Sequence, residues 1–163
     1  MKYGLLGEHL SHSYSPLIHS LIGDYEYCLF EKSPHEVEDF LKHGDFQAIN
    51  VTIPYKKAVM PYCTELTDQA KRIGSVNTIR FDKDAVRGYN TDYAGFRYLL
   101  EKNNVPVAGQ KVLVLGSGGA SRTAVAVLED IGAEVVVISR NGENHYGNLH
   151  LHRDAAIIVN ATP

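Results

Sequence analysis

The sequence is short of every feature that would take it away from the soluble, reduced interior of a cell. It has two cysteines, Cys28 and Cys63, which form neither a disulfide framework nor a metal-type spacing. No apolar run approaches the roughly 20 residues that a membrane span needs. The opening MKYGLLGEHL lacks a long apolar stretch followed by a small-residue cleavage site, so no secretion signal is expected. Neither sign of charge dominates. The net charge of -3 gives no electrostatic reason to expect nucleic acid or an anionic membrane as partner. The eight His are scattered. His9, His12 and His19 lie near one another, but no HxxxH pair accompanies a carboxylate, and no metal is expected. Internal repeats and low-complexity segments are absent too. These absences predict a cytoplasmic protein.

What is there is ordinary globular composition, 44% hydrophobic and 21% charged over 163 residues. That length allows one domain or two small ones. Residues 2–7, 25–31 and 46–53 read as strands. Between them lie a helix opened by Pro16, with Ser15 as its N-cap and Gly23 as its stop, and a second opened at Ser33-Pro34 and stopped at Gly44. Residues 57–63 and 67–73 read as helical. Residues 75–82 and 85–89 read as a hairpin, and 92–103 as a connector helix. Strand and helix in alternation predict an α/β fold with a mostly parallel sheet.

After the linker VPVAG the pattern changes. KVLVLGSGGASRTAVAVLEDIGAEVVVISR reads as strand, glycine-rich turn, helix and strand, a complete βαβ unit. Residues 141–154 read as loop or one short helix, and 156–160 as a further strand. The turn fits a dinucleotide fingerprint in its confirming context, following a strand and opening a helix. Gly116 allows the tight turn, Gly118 lets the backbone approach a pyrophosphate, and the helix N-terminus offers N–H groups to the anion. Ser121 stands at the fingerprint's third position. The next strand ends in Ser139-Arg140 with no acid for a ribose 2′-hydroxyl. Arg140 suits a 2′-phosphate, which favours NADP. The expected domains are 1–104, including the connector helix, and 105–163, an incomplete Rossmann-type domain.

In the first half, polar side chains gather where an apolar core would not want them: Ser11, Ser13 and Ser15 in one turn, Asn50 and Thr52 leading to Lys56, Asn77 and Thr78 in SVNTI, and Asn90, Thr91 and Asp92 before the connector helix. They collect at the C-terminal ends of strands, where open α/β sheets bind ligands. Hydroxyls and amides can bind a substrate hydroxyl in both directions, which suits a small polyhydroxylated molecule.

SHSYSPLIH, NVTIPYK, GSVNT, GYNTDYAGF, GSGGAS and terminal NATP occur in that order at fitting spacing. The whole chain thereby resembles the shikimate dehydrogenase family, NADP-dependent enzymes of aromatic biosynthesis. The resemblance implies that Ser13 and Ser15 bind the substrate carboxylate. It implies that Asn50, Thr52, Asn77, Thr91 and Asp92 meet ring hydroxyls, and that Lys56 and Asp92 form the catalytic pair. Gly116, Ser117, Gly118, Gly119 and Ala120 would wrap the pyrophosphate, with Ser139 and Arg140 beside the 2′-phosphate. Reduction of 3-dehydroshikimate to shikimate develops negative charge on oxygen. A lysine ammonium stabilises that charge or supplies the proton, and a nearby aspartate favours its ionised form.

Two departures from the family pattern stand out. After the second strand of the βαβ unit the chain reads SRNGEN, with Asn144 where a second basic residue would fall, so a weaker NADP preference is expected. The chain also stops at Pro163, where family members continue. It is expected to be truncated and of weak or no activity, with exposed sheet edge and apolar surface favouring association, as in a homodimer. Two alternatives stay open: a quinate/shikimate dehydrogenase with relaxed cofactor use, and a non-catalytic shikimate-binding module.

Overall fold

The computed structural model describes residues 2–162; Met1 and Pro163, the last residue of the NATP motif, lie outside the described residues. The chain divides into two compact units, Met1–Asn90 and Thr91–Pro163.

The first unit is built on β1 (Lys2–Gly7), α1 (Ser15–Ile22), β2 (Tyr27–Glu31), α2 (Val37–His43), β3 (Phe46–Val51), the short β4 (Glu65–Leu66), α3 (Asp68–Ile73), β5 (Thr78–Phe81) and β6 (Val86–Tyr89). The sheet order is β2-β1-β3-β5-β6-β4. β1 pairs in parallel with β2 and β3, and β4 with β6; β5 runs antiparallel to β3 and β6. The hairpin of β5 and β6 closes through Asp82 N–H to Ala85 O at 2.9 Å. Alternation sorts the strands. Leu6, Ile49, Val51 and Ile79 are buried together with Val37 and Leu41 of α2 and with Tyr55 and Val59. Each such side chain contributes about 1.5–3 kcal/mol relative to leaving it in water. Phe40 and Phe81 flank Phe46 at 4.6 and 5.5 Å between ring centres, closing one end of this core.

The elements depart locally from expectation. Ser15 is the first residue of α1 rather than its cap; Tyr14 holds the cap position and no side chain caps the helix. Instead Ser13 Oγ accepts the Ser15 N–H at 3.2 Å, a serine turn two residues early. Ser33 does not cap α2, which begins at Val37 after a turn; its N–H and hydroxyl both bind the Glu36 carboxylate. Residues 57–63 are turns and a 3₁₀ segment, Met60–Tyr62, rather than an α-helix. Here burial of Tyr55 and Val59 in the core shapes the backbone more than helix propensity does. Thr67, by contrast, caps α3 by accepting the Ala70 N–H at 3.2 Å.

The second unit holds α4 (Asp92–Lys102), β7 (Lys111–Leu115), α5 (Gly119–Ile131), β8 (Glu134–Ile138), a 3₁₀ segment Tyr146–His152 and β9 (Ile157–Asn160). Its three strands run parallel in the order β8-β7-β9. Val112 and Val114 of β7 pack with Ala124, Val127 and Leu128 of α5 and Leu100 of α4. Tyr93 and Phe96 of α4 join this cluster, and the Tyr93 hydroxyl donates to Asp130 at 2.6 Å. The connector helix therefore clusters with 91–163, while the sequence expectation assigned it to the first domain with a boundary after residue 104. Its apolar stripe finds α5, and that packing decides its membership.

Among the described residues, no helix is long and apolar enough to cross a membrane.

Candidate active site

In the first unit, the polar residues singled out from sequence are tied together by hydrogen bonds that start at the C-terminal edge of the sheet. β1 ends at Gly7, and a Cβ there would lie 2.5 Å from the Leu10 side chain and 2.7 Å from that of Thr52. A side chain there would force Leu10 or Thr52 to shift, so glycine suits this close approach. The segment after β1 folds back as a serine-rich turn, in which Leu10 is buried and Ser13 N–H donates to Leu10 O at 2.9 Å. Glu31, at the end of β2, accepts the Leu10 N–H at 2.6 Å and so pins the turn that carries Ser13 and Ser15.

Asn50 lies on β3 opposite Thr78 of β5, and Asn50 Nδ2 donates to Thr78 Oγ1 at 3.1 Å. Thr78 Oγ1 donates in turn to Asn77 Oδ1 at 3.3 Å. On the other side, the Tyr27 hydroxyl reaches across β1 and donates to Asn50 Oδ1 at 2.8 Å. Burial pushes the Tyr27 phenol up to about 12, against the hydrogen bond from Ser15, with the nearby Tyr25 adding to the rise. Ser15, Tyr27, Asn50, Thr78 and Asn77 thus form one connected row. The His19 ring stacks on Tyr27 at 3.8 Å and 13°, while His19 Nδ1 bonds the Tyr25 hydroxyl at 2.6 Å.

Thr52 and Lys56 belong to the turn after β3. Thr52 N–H donates to Leu6 O, and Thr52 O accepts the Tyr55 N–H, both at 2.9 Å. The Ile53–Pro54 peptide is cis. Tyr55 is 3% exposed, with its hydroxyl on Lys32 O. The Lys56 carbonyl accepts the Val76 N–H at 2.7 Å, and Val51 N–H donates to Asn77 O at 2.8 Å. The lysine is therefore presented from a turn anchored on both sides, with Asn77 next to its anchor. Its side chain is half-buried. Asn90 is buried and donates from Nδ2 to Ser75 O at 3.0 Å, a structural role at the end of the unit.

Thr91 and Asp92 fall in the second unit. Thr91 is the N-cap residue of α4 and Asp92 its first residue, where a carboxylate suits the helix dipole. The glycine turn is in the same unit. Gly116 has φ +110, and a Cβ there would meet Ala161 O at 2.9 Å. Ser121, buried, donates to Gly116 O at 2.6 Å and closes the turn from within the helix, so the serine at the fingerprint's third position has a bond of its own. Gly118, the N-cap of α5, has no side-chain cap bond and open space where its Cβ would be. Ser117 and Ala120 are exposed. An uncapped N-terminus on a 13-residue helix with open space before it fits a pyrophosphate. At the end of β8, Ser139 N–H donates to Asn144 O at 3.0 Å, and Arg140 is exposed. Asn144 Oδ1 pairs with His152 Nε2 at 2.9 Å. Among the described residues no group of His, Cys, Asp and Glu could hold a metal ion.

Tyr27 and Glu31 are not among the residues that the sequence singles out, and Thr78 is singled out without a role of its own. Thr78 was visible as a polar residue in an apolar run. The roles of Tyr27 and Glu31 depend on β2 lying beside β1, which no local pattern states.

The family model for the "Shikimate dehydrogenase substrate binding domain" matches residues 5–79. The chain is 41% identical over 147 residues to a shikimate dehydrogenase (NADP(+)) of Clostridium beijerinckii, an overlap of 85% of this chain and 54% of that one. It is 37% identical over an alignment of 183 positions to the enzyme of the same name from Clostridium perfringens, covering 99% of this chain and 68% of that one. Among solved structures, shikimate dehydrogenase 1 from Peptoclostridium difficile superposes with a TM-score of 0.91 at 37% identity, over 100% of this chain and 68% of that one. The Thermus thermophilus shikimate 5-dehydrogenase in complex with NADP(H) and shikimate superposes with a TM-score of 0.86 at 30% identity, over 99% and 68%. The chain spans about half the length of the first curated relatives it matches, 54% and 52%.

Proposed function

The chain belongs to the shikimate dehydrogenase family, and from that premise we propose that it serves the reversible NADP-dependent reduction of 3-dehydroshikimate to shikimate in aromatic amino-acid biosynthesis. The observation that carries the reading is the connected row from Ser15 through Tyr27, Asn50 and Thr78 to Asn77, beside the anchored turn of Lys56. A run of hydroxyls and amides with both donors and acceptors suits a ring bearing several hydroxyls.

Ser13 and Ser15 are assigned to the substrate carboxylate, and Asn50, Thr52, Asn77 and Thr91 to its hydroxyls. Lys56 is assigned to the reacting oxygen. Its ammonium stabilises the negative charge that develops there and is the source of the proton that oxygen takes up. Asp92 is the carboxylate assigned to the same reaction, on the strength of the GYNTDYAGF motif. Bound NADPH supplies the hydride. Residues 116–120 are assigned to its pyrophosphate, supported by the uncapped N-terminus of α5 and the open space at Gly118. Ser139 and Arg140 are assigned to the 2′-phosphate. With Asn144 engaged by His152, Arg140 is the one basic residue of SRNGEN, which supports a modest preference for NADP over NAD. Units Met1–Asn90 and Thr91–Pro163 are accordingly read as substrate and dinucleotide domains.

A cytoplasmic setting belongs to the reading, resting on the few cysteines and the NADP chemistry. A homodimer belongs to it as well, supported by Leu17, Leu21 and Ile22 standing exposed on α1.

Calorimetric titration of the 163-residue chain with shikimate, and with quinate as competitor, tests the substrate assignment. Saturable shikimate binding that quinate displaces weakly is expected. A chain that takes neither acid would sink the substrate assignment, and quinate binding the tighter would move it to the quinate/shikimate alternative.

A further inference from the structure

Tyr27 is the member of the polar row that neither motif nor spacing singles out. Its ring is held in place from outside the row: His19 stacks on it at 3.8 Å, and His19 is itself tied to the Tyr25 hydroxyl at 2.6 Å. Its hydroxyl donates to Asn50 Oδ1 at 2.8 Å across the intervening strand β1.

The direction of each bond in the row matters. A threonine hydroxyl has one proton, and Thr78 gives it to Asn77 Oδ1. Thr78 must therefore accept from Asn50, which requires Asn50 Nδ2 to face it. Asn50 Oδ1 is then turned toward Tyr27 and needs a donor. A phenol that keeps its proton is a constant donor, and burial keeps this one protonated far into alkaline solution. A phenylalanine would fill the same space and leave Oδ1 without its partner. Asn50 could then turn its amide over, reversing donor and acceptor at the point where a ligand hydroxyl is held.

We propose that Tyr27 is a positioning residue for the substrate pocket: its hydroxyl locks the Asn50 amide in one orientation and so fixes on which side a ligand hydroxyl meets the donor and on which the acceptor. This rests on the reading of Asn50 as a substrate-binding residue. It extends the site to a strand that carries none of the sequence motifs and gives the Tyr27 side chain a role exercised through Asn50.

The test is a double-mutant cycle read by calorimetric shikimate titration of the 163-residue chain. Tyr27→Phe is expected to weaken shikimate binding about tenfold, the loss of one well-made hydrogen bond in a partly buried site. Asn50→Ala is expected to weaken it at least as much. With alanine already at 50, the change at Tyr27 should cost less than about twofold, because its route through Asn50 is gone and only its bond with Ser15 is left. Additive losses would overturn the proposal, since a general structural role would persist without Asn50. A Tyr27→Phe chain that binds like wild type would overturn it as well. If Asn50→Ala alone leaves binding unchanged, the substrate assignment of Asn50 fails instead, and the two failures are told apart by which single variant is silent. Should Tyr27→Phe fail to fold, proton exchange of the Asn50 side-chain amide in the wild-type chain decides. Slow exchange supports the locked orientation, and exchange at the rate of an exposed asparagine overturns it.

Discussion

Glu31 Oε1 accepts the backbone N–H of Leu10 at 2.6 Å, joining the end of β2 to the turn that carries Ser13 and Ser15. The turn has few other anchors: Leu10 is buried, and Ser13 N–H returns to Leu10 O. Removing the carboxylate leaves the Leu10 N–H without its charged acceptor. A hydrogen bond to a charged group contributes about 1.5–3 kcal/mol. Glu31→Ala should therefore loosen the serine turn and weaken shikimate binding roughly tenfold, while Glu31→Gln, which keeps an acceptor oxygen, recovers most of it. Calorimetric titration checks both. Equal losses for the two variants would show that charge, and not the tether, is what matters.

Lys56 separates chemistry from binding. Its carbonyl holds the Val76 N–H, and a substitution of the side chain leaves that backbone bond in place. Lys56→Ala should fold, melt within a few degrees of wild type, and bind cofactor almost unchanged. Turnover should fall by about a thousandfold or more, the scale expected when the group that stabilises a developing oxyanion is lost. The assay is NADPH-dependent reduction of 3-dehydroshikimate, on whatever length of the reading frame shows that activity. A variant retaining most of its kcat removes Lys56 from the chemistry.

How much of this is legible in the sequence differs between the two units. The βαβ unit is legible nearly element for element, because each strand is a continuous apolar run and the glycine turn and helix follow one another along the chain. The first unit is legible where a local device sets the structure, as with Gly23 ending α1 and Gly44 ending α2. It was misread where distant packing decides. Residues 57–63 carry helical propensity but turn so that Tyr55 and Val59 can bury in the core. β4 has two residues, too few for any period to show. Asn50 and Lys56 stood out as polar residues at the end of an apolar strand. Tyr27 did not, because a tyrosine on a strand is unremarked until strand order brings it beside β1 and within reach of Asn50.

Alkaline pH should weaken the fold through two half-buried acids. The Tyr27 phenol is raised from 10.0 to about 12 and the Cys63 thiol from 9.0 to about 11, each chiefly by burial. In both, the folded chain holds its proton more tightly than the unfolded chain. Above pH 9 the unfolded chain releases protons that the folded chain keeps, so it binds fewer and the unfolding free energy falls as pH rises. The contribution is whole below pH 9 and is lost between pH 9 and about 12. Urea midpoints should hold steady up to pH 9 and then decline. Tyr27→Phe should flatten the upper part of the decline and Cys63→Ala the lower part. Midpoints that do not move through this window would contradict the burial of both groups.

The two glycines of the phosphate turn should fail in different ways. Gly116 sits at φ +110, and a Cβ there would come 2.9 Å from Ala161 O. Gly116→Ala therefore meets both a left-handed backbone and a clash, and should cost about 1–3 kcal/mol of stability or more. Gly118 has φ -80 and ψ -169, an extended conformation open to any residue, and its Cβ would point into empty space. Gly118→Ala should leave the melting temperature nearly unchanged. Its methyl would nevertheless occupy the space before the α5 N-terminus, where a pyrophosphate would have to approach the backbone. NADPH affinity of Gly118→Ala should drop at least about tenfold, the cost of pushing a charged group away from its N–H donors. Thermal melts and NADPH titrations on the two variants check this. A Gly118→Ala chain that binds NADPH as wild type does would remove the dinucleotide from this turn, whereas a Gly116→Ala chain that melts like wild type would show that the backbone there tolerates a side chain.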